Sequence, residues 1–324
     1  MRDKLLLEQV LPSYVAGVKP NLQMYVSTIT EVAHAGQIAA ALAGKELEVV
    51  DILDVSGGCK LLLHGSAHSG SVKPALRQSA KDLTQDFFAL SAAIGVDIAL
   101  VDALPTPSLA QAGVLFMDMD STLIQCECID EIAGFLGVKD KVSAITQQAM
   151  EGKLDFSESL VARVQLLAGL DEQVLRQVYA QCICLTDGAE DLIQTVQQAG
   201  WKVGLVSGGF TFFTDLLQQR LKLDFSCANQ LEMVGGKLTG RVLGAIVDAN
   251  KKRELLLAQS QVWGIEMKQT MALGDGANDL PMLQAAGLGI AFHAKPKVRQ
   301  LAPYALSVGG LNQALHLISP VEDA

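Results

Sequence analysis

The sequence predicts an α/β protein in which a doubly wound parallel sheet carries a helical cap and follows a small α+β domain. Three observations predict this fold class. Strand and helix patterns alternate through most of the later two-thirds of the 324 residues, as in parallel sheets whose strands are joined by helices. Within that alternation, residues 128–181 show only helical periodicity. Two nearby prolines, Pro105 and Pro107, interrupt the chain before it and indicate a domain boundary.

The first domain is predicted over residues 1–104. Its apolar runs follow the order β-α-β-β-α-β, which is typical of ferredoxin-like domains. The predicted elements are strands over 22–30, 48–55, 60–64 and 96–101, and helices over 36–43 and 72–94. Its histidines are scattered along the chain, so no catalytic site is expected in this domain.

The second domain is predicted over residues 105–324, with the cap over about 125–184. An apolar run at 113–117 begins the sheet, and the helical stretch forms the cap between the first two strands. Further strands are predicted over 201–206, 232–234, 237–239, 270–273 and 289–292, and further helices over 189–199, 213–221 and 251–261. Right-handed crossovers make such a sheet doubly wound.

Composition excludes several classes of partner. The net charge of −10 and the lack of a Lys/Arg run argue against nucleic-acid binding. No apolar run approaches the roughly 18 residues that span a bilayer, and the amino-terminal apolar stretch is too short for a signal peptide. Six cysteines in a chain of this length indicate reduced thiols rather than a disulfide framework. We therefore expect a cytoplasmic protein with no nucleic-acid or membrane partner.

Asp118 and Asp120 follow the first predicted strand of the second domain, at the edge where open α/β sheets bind ligands. Alone, this Asp-x-Asp tripeptide is a weak signal, because it also occurs in metal-dependent glycosyltransferases and most often in a solvated turn. Other polar residues follow predicted strands or are expected near the same edge, namely Ser207, Lys252 and residues 274–279. The convergence of these loops on one edge indicates a single site.

Several carboxylates in one pocket need a cation, because two of them about 4 Å apart repel by roughly 4 kcal/mol at an effective dielectric of 20. Oxygen ligands indicate Mg²⁺ rather than a thiophilic metal. The Ser207 hydroxyl and the amides of Gly208 and Gly209 are suitable donors for phosphoryl oxygens, and Lys252 adds positive charge. The residues alone thus predict a phosphoryl-transfer site.

Four segments carry a resemblance to a known family, and they occur in the family's order. They are Asp118-Met-Asp-Ser-Thr-Leu, Val206-Ser-Gly-Gly-Phe, Asp248-Ala-Asn-Lys-Lys and Leu273-Gly-Asp-Gly-Ala-Asn-Asp-Leu. From Asp118 to Asn312 the chain resembles the haloacid dehalogenase superfamily, and within it the phosphoserine phosphatase family. The resemblance implies a Rossmann-like sheet with its cap after the first strand.

The resemblance also implies the catalytic and metal-binding roles. Asp118 is implied as the nucleophile that forms an aspartyl-phosphate, and Asp120 as the general acid and then the general base. The Asp118 carboxylate, the Asp120 carbonyl and the Asp275 carboxylate are implied to hold Mg²⁺. Asp279 is implied as a further ligand or as a residue that orients a bound water.

Substrate-binding roles are implied in the same way. Phosphoryl contacts are implied for Ser207, Gly208 and Lys252, with support from Asn278. Lys251 is an alternative to Lys252, whose offset from Asp248 fits the motif better. In the cap, Glu127 is implied to meet a substrate ammonium, Phe156 to close over the substrate, and Arg163 to pair with a carboxylate.

An ammonium, a carboxylate and a phosphate describe phosphoserine. The resemblance thus implies Mg²⁺-dependent hydrolysis of O-phospho-L-serine, the last step of serine biosynthesis. Two alternatives remain. The first is a family member that hydrolyses another small phosphomonoester or transfers the phosphoryl group to an acceptor such as homoserine. The second is a non-enzymatic amino-acid sensor. The first domain resembles a regulatory ACT-like domain, which implies either regulation by an amino acid or pairing of two chains. It lacks the Asp-x-x-Gly loop of amino-acid-binding members, so we expect it to pair two chains in a homodimer rather than to bind serine.

Overall fold

The computed structural model describes residues 22–27, 32–43, 47–55, 58–65, 93–102, 107–150 and 153–318, together with 5, 7–9, 11, 87 and 89–91. Most of the helix predicted over 72–94 and the domain boundary predicted at residues 104–105 lie outside these residues. The described residues form two sheets, one of four strands and one of seven.

The first sheet is antiparallel. Its strands are Leu22–Ser27 (β1), Leu47–Val55 (β2), Gly58–Gly65 (β3) and Ile98–Asp102 (β4), and one described helix, Val32–Ala43 (α1), follows β1. The strand order is β2-β3-β1-β4. Because side chains alternate along a strand, Met24 and Val26 join the core beside α1, while Tyr25 between them joins the core of the second sheet.

The second sheet confirms the predicted doubly wound fold. Its strands are Val114–Met117 (β5), Lys202–Phe210 (β6), Phe225–Val234 (β7), Lys237–Leu243 (β8), Thr270–Gly274 (β9), Leu288–Phe292 (β10) and Tyr304–Leu306 (β11). Their order is β11-β10-β9-β5-β6-β7-β8, and only the β7–β8 pair is antiparallel. The chain runs from β5 to β6 on one side and later returns to β9 on the other, so β5 ends at a topological switch point.

Helices cover this sheet, whose strands β5, β9 and β10 are fully buried apolar runs, as expected of parallel strands covered on both faces. Four helices form the cap: Cys128–Phe135 (α2), Lys139–Met150 (α3), Phe156–Gln165 (α4) and Glu172–Cys182 (α5). The others are Ala189–Gln198 (α6), Thr211–Leu221 (α7), Ala249–Val262 (α8), Leu280–Ala285 (α9) and Pro296–Leu301 (α10). None of the helices in the described part of the chain is long and apolar enough to cross a membrane.

The predicted helical stretch 128–181 is divided by local signals. Gly169, at φ +85°, has a backbone conformation that favours glycine, and it follows α4. Asp155 begins α4 with a capping box, in which its carboxylate accepts from the Glu158 amide and the Glu158 carboxylate accepts from the Asp155 amide. These signals explain separate helices where periodicity alone predicted one stretch.

The two segments that connect the cap to the sheet lie side by side. Ile124 and Leu185 form an antiparallel bridge. The Thr186 amide donates to the Leu123 carbonyl at 2.9 Å, and the Thr186 hydroxyl donates to the Thr122 carbonyl at 2.7 Å. The chain thus enters and leaves the cap at one place, close to the end of β5.

Polar contacts join the first sheet and the residue before β4 to the chain segment that follows β11. The Tyr25 hydroxyl donates to the Gln313 side-chain carbonyl, and the Tyr25 ring stacks on His316 with centroids 5.2 Å apart. The Asp97 carboxylate accepts from the amides of Ser307 and Val308 at 2.7 and 2.6 Å. Burial raises the pKa of Asp97, although these two amides oppose the effect.

Candidate active site

Asp118 directly follows β5 and caps a wide turn, Met119–Leu123, in which Asp120 lies. The Asp118 carboxylate accepts from the Met119 amide at 2.7 Å, and the Ile124 amide closes the turn by donating to the Met119 carbonyl. Ser121 in this turn has φ +55°, which is unusual for a residue other than glycine. The turn therefore fixes both aspartates at the switch point of the sheet.

Lys252 lies beside this turn and is completely buried. Its ammonium is 2.7 Å from Asp118 Oδ1 and 2.7 Å from Asp279 Oδ1. Burial acts to lower the pKa of Lys252, but the attraction of the two carboxylates outweighs it and raises that pKa. The neighbouring Lys251 instead pairs with Glu254 at 3.3 Å and keeps 42% of its side chain exposed. Of the two lysines that the sequence offered, only Lys252 contacts the aspartates.

An acidic cluster surrounds the Lys252 ammonium. Carboxylate oxygens of Asp118, Asp275 and Asp279 lie within 4.8 Å of one another. Burial and the repulsion of Asp279 raise the pKa of Asp118 well above its ordinary value and that of Asp275 to about 6. Three carboxylates against one ammonium leave an excess of negative charge, so this all-oxygen set fits a divalent cation.

Asp120 is held by donors from the cap and from β6. Its Oδ1 accepts from the Cys128 amide at 2.8 Å, and its Oδ2 accepts from the Ser207 hydroxyl at 3.3 Å. Burial raises the pKa of Asp120, with the Cys128 amide as the main opposing contact. A Cβ at Gly209 would lie 2.6 Å from Asp120 Oδ2, so only glycine leaves room for this carboxylate.

Residues 207–209, which we call the phosphate loop, belong to an irregular extension of β6. The strand was predicted to end at residue 206, but it continues to Phe210 with a shift in register after Val206. The Gly209 amide donates to the Ser207 hydroxyl oxygen at 2.8 Å. The loop thus presents a hydroxyl and backbone donors next to Asp120.

Three predicted residues reach the site from the cap. Glu127 accepts from the Ser121 hydroxyl at 2.7 Å and remains exposed toward the cleft. Desolvation by the surrounding protein, followed by repulsion from the Asp120 carboxylate, raises the pKa of Glu127 to about 7. Half-buried Arg163 donates from Nε to the Ser159 carbonyl at 3.2 Å, and no carboxylate of the described residues forms an ion pair with it.

The Phe156 ring lies on the phosphate loop, because a Cβ at Gly208 would be 2.7 Å from the Phe156 Cζ atom. The cap and the sheet therefore touch at this point, and together they enclose a pocket of about 160 Å³. This volume is below the roughly 300–1,000 Å³ of sites for drug-sized ligands, so the pocket suits a small molecule.

Most of the predicted site residues line this one pocket. The predicted residues in its wall are Asp118, Asp120, Glu127, Phe156, Arg163, Gly208, Asp275 and Asn278. Ser207, Lys252 and Asp279 are buried and contact residues of the wall. The structure therefore brings together residues that are up to 161 positions apart in the sequence.

The family model of the haloacid dehalogenase-like hydrolases matches residues 113–287, which is more than half of the chain. The chain belongs to this family. It is 44% identical over 276 residues to a phosphoserine phosphatase from Haemophilus influenzae, with 85% of this chain and 82% of that protein covered.

Two solved structures resemble this hydrolase over nearly its whole length. A haloacid dehalogenase family hydrolase from Salmonella enterica serovar Typhi is 31% identical at a TM-score of 0.80, with 93% of this chain and 99% of that chain covered. An unliganded probable phosphoserine phosphatase from Vibrio cholerae is 35% identical at a TM-score of 0.75, with 97% and 93% covered. Both comparisons confirm the predicted fold class.

Sequence reasoning missed several residues in the wall of this hydrolase's pocket and one residue behind it. Ile129, Leu160 and Phe210 supply its apolar wall. A signal for Leu160 was present, because it lies four residues after Phe156 and three before Arg163 and so shares their helix face. Asn229, whose amide contacts the phosphate loop, had no signal, because it belongs to none of the four motifs.

Proposed function

We propose that this hydrolase releases L-serine and phosphate from O-phospho-L-serine. The observation that carries the proposal is that one small pocket has a carboxylate, Glu127, and a guanidinium, Arg163, in the same wall as Asp118 and the phosphate loop. These groups complement the ammonium, carboxylate and phosphate of a phosphorylated α-amino acid. The 44% identity to a protein named phosphoserine phosphatase supports the same substrate.

In the first step, a carboxylate oxygen of Asp118 attacks phosphorus, and the bond between phosphorus and the serine oxygen breaks. The leaving alkoxide takes a proton from the Asp120 carboxyl group. Burial raises the pKa of Asp120 and so favours the protonated form that this step needs. The products of the step are L-serine, an aspartyl-phosphate on Asp118 and an ionised Asp120.

In the second step, water attacks the same phosphorus atom. Asp120 takes a proton from the water, and the bond from phosphorus to the Asp118 oxygen breaks to release phosphate. Lys252 keeps Asp118 in place through both steps, because its ammonium already contacts Asp118 Oδ1. Asp120 thus changes from general acid to general base between the steps.

We propose Mg²⁺ as the cation of the acidic cluster. The Asp118 and Asp275 carboxylates and the Asp120 carbonyl would bind it, and Asp279 would bind it or orient a coordinated water. When bound, Mg²⁺ would offset the charge of the carboxylates and so allow a phosphate dianion to approach Asp118. The close approach of the three carboxylates supports this assignment.

The cap residues are proposed to select the substrate. Glu127 would bind the ammonium and Arg163 the carboxylate, while Phe156 covers the pocket and Asn278 supports the phosphoryl contacts. Arg163 suits this role because a guanidinium can bind a carboxylate through two parallel hydrogen bonds, which an ammonium cannot. The Arg163 Nε–Ser159 contact fixes the side chain before substrate arrives.

Steady-state kinetics on three phosphate esters test the proposal. O-phospho-L-serine carries both recognition groups, phosphoethanolamine lacks the carboxylate and 3-phosphoglycerate lacks the ammonium. We expect the highest kcat/KM for phosphoserine, and Arg163→Lys should reduce turnover of phosphoserine far more than that of phosphoethanolamine. Equal losses would place Arg163 in a structural role, and a better substrate among other phosphomonoesters would refute the proposed specificity.

The role of the amino-terminal part is also a proposal. We propose that residues 1–104 form an ACT-like domain that pairs two chains in a homodimer, and that the enzyme acts in the cytoplasm. Light scattering on the full chain should give the mass of two chains, and cell fractionation should place the protein with cytoplasmic enzymes. A monomeric mass at all concentrations would refute the pairing.

A further inference from the structure

We propose that Asn229 is a positioning residue, which holds the phosphate loop in register with Lys252. The inference rests on the proposed phosphoryl-transfer function. Asn229 lies on β7, is 1% exposed and lines no part of the pocket described above. It therefore acts through other residues rather than through contact with a substrate.

The amide of Asn229 makes three hydrogen bonds to two separate segments. Its Nδ2 donates to the Gly208 carbonyl at 2.8 Å and to the Gly209 carbonyl at 3.2 Å. Its Oδ1 accepts from the Val247 amide at 2.8 Å. Because carbonyls only accept and the amide N–H only donates, this pattern fixes the orientation of the side chain.

The second segment is the start of the helix that carries Lys252. Val247 precedes Asp248, which caps α8 by accepting from the Lys251 amide at 2.8 Å. The Lys252 amide in turn donates to the Asp248 carbonyl at 3.0 Å. Asn229 thus joins the phosphate loop to Val247, the residue before the N-cap of α8, through one side chain.

This junction matters because phosphoryl contacts come from both segments. The loop is an irregular part of β6 whose pairing with β7 shifts in register after Val206, so the strand ladder alone does not fix residues 207–209. Without the Asn229 amide, the partly buried carbonyls of Gly208 and Gly209 would lack their donor, and the loop would move to satisfy them. A displaced loop would misalign its donors relative to Lys252, and a shift of about 1 Å can cost roughly a hundredfold in rate.

A matched control exists at a distance from the pocket. Gln269 is also buried, and its side-chain amide makes the same kinds of hydrogen bond as that of Asn229. Its nitrogen donates to the carbonyls of Ser108 and Gln111, and its oxygen accepts from the Ser108 backbone amide. It directly precedes β9, at the end of that strand opposite Asp275. Exchanging either amide for a carboxylate removes two donors and adds one buried charge, so only position distinguishes the variants.

The experiment compares Asn229→Asp with Gln269→Glu, and Asn229→Ala with Gln269→Ala. Binding of inorganic phosphate in the presence of Mg²⁺ is measured by calorimetry, kcat and KM for phosphoserine by steady-state kinetics, and stability by thermal unfolding. We expect Asn229→Asp to weaken phosphate binding by about tenfold, as for a lost charge-assisted hydrogen bond. We expect kcat/KM to fall by about a hundredfold, mainly in kcat, while both Gln269 variants keep wild-type binding and turnover.

Wild-type phosphate affinity and kcat in folded Asn229 variants would overturn the inference, as would equal losses in the Gln269 variants. If neither Asn229 variant folds, the amide serves the fold and the inference is also overturned. If the wild type binds phosphate but hydrolyses no phosphoserine, the proposed function fails, and the phosphate titrations alone decide the role of Asn229.

Discussion

Replacing Lys252 by methionine tests the electrostatic account of the site. Methionine has a similar unbranched shape but no charge, and it leaves the buried carboxylates of Asp118 and Asp279 without the ammonium that lies 2.7 Å from each. Breaking a buried ion pair by removing one partner costs about 3–5 kcal/mol. The repulsion of two carboxylates about 4 Å apart, roughly 4 kcal/mol at a dielectric of 20, gives the same magnitude.

The free energy of unfolding of Lys252→Met, measured in urea with EDTA, should therefore fall by about 3–5 kcal/mol. Lys251→Met is the matched control, since this exposed side chain has only a surface ion pair with Glu254 and should change stability by less than about 1 kcal/mol. Mg²⁺ should restore part of the loss, because it supplies the missing positive charge. Equal unfolding midpoints for the two variants would refute the reasoning.

Three further outcomes are expected. Asp118→Asn should reduce phosphoserine turnover by roughly 10⁴-fold or more while the protein stays folded, because an amide does not attack phosphorus. Wild-type turnover by this variant, with deamidation ruled out, would exclude Asp118 as the nucleophile. The pKa of Glu127 is raised to about 7, so its carboxylate forms as the pH rises through 7, and kcat/KM for phosphoserine relative to 3-phosphoglycerate should rise over the same range. The Glu127→Gln variant should lack this rise, and a rise that persists would assign it to another group. Mg²⁺ should raise the melting temperature of the wild type, and this increase should be smaller in the Asp275→Asn variant. An equal increase in the wild type and the variant would exclude Asp275 as a ligand.

The alternation of apolar runs and helical patterns predicted the sheet well, because its central strands are continuous apolar runs with helices between them. The predicted strand at 113–117 corresponds to Val114–Met117, and the predicted helix at 189–199 to Ala189–Gln198. The helices Leu280–Ala285 and Pro296–Leu301 were not predicted, since six residues are too few to show a helical period. The three-residue strand Tyr304–Leu306 was not predicted either.

The site could be predicted where function fixes the spacing of residues along the chain. Asp118, Asp120 and Asp275 lie in recognisable motifs, and the structure brings all three to one pocket. Asn229 and Tyr25 could not be found in this way. Each contacts residues distant in sequence, and a single asparagine or tyrosine in a strand carries no sign of which residues will lie opposite it.

The adjacent entry and exit of the cap, held by Thr186 and the Ile124–Leu185 bridge, make the cap an exchangeable unit. A helical insert of another sequence could join the sheet at the same two neighbouring chain ends, provided that it replaced the contacts which the present cap makes with Gly208 and with β8. Under the proposed roles, changes at Glu127 and Arg163 would alter which molecule is hydrolysed while Asp118 and Lys252 stay as they are. In one polypeptide, the choice of substrate and the chemistry performed on it can evolve separately.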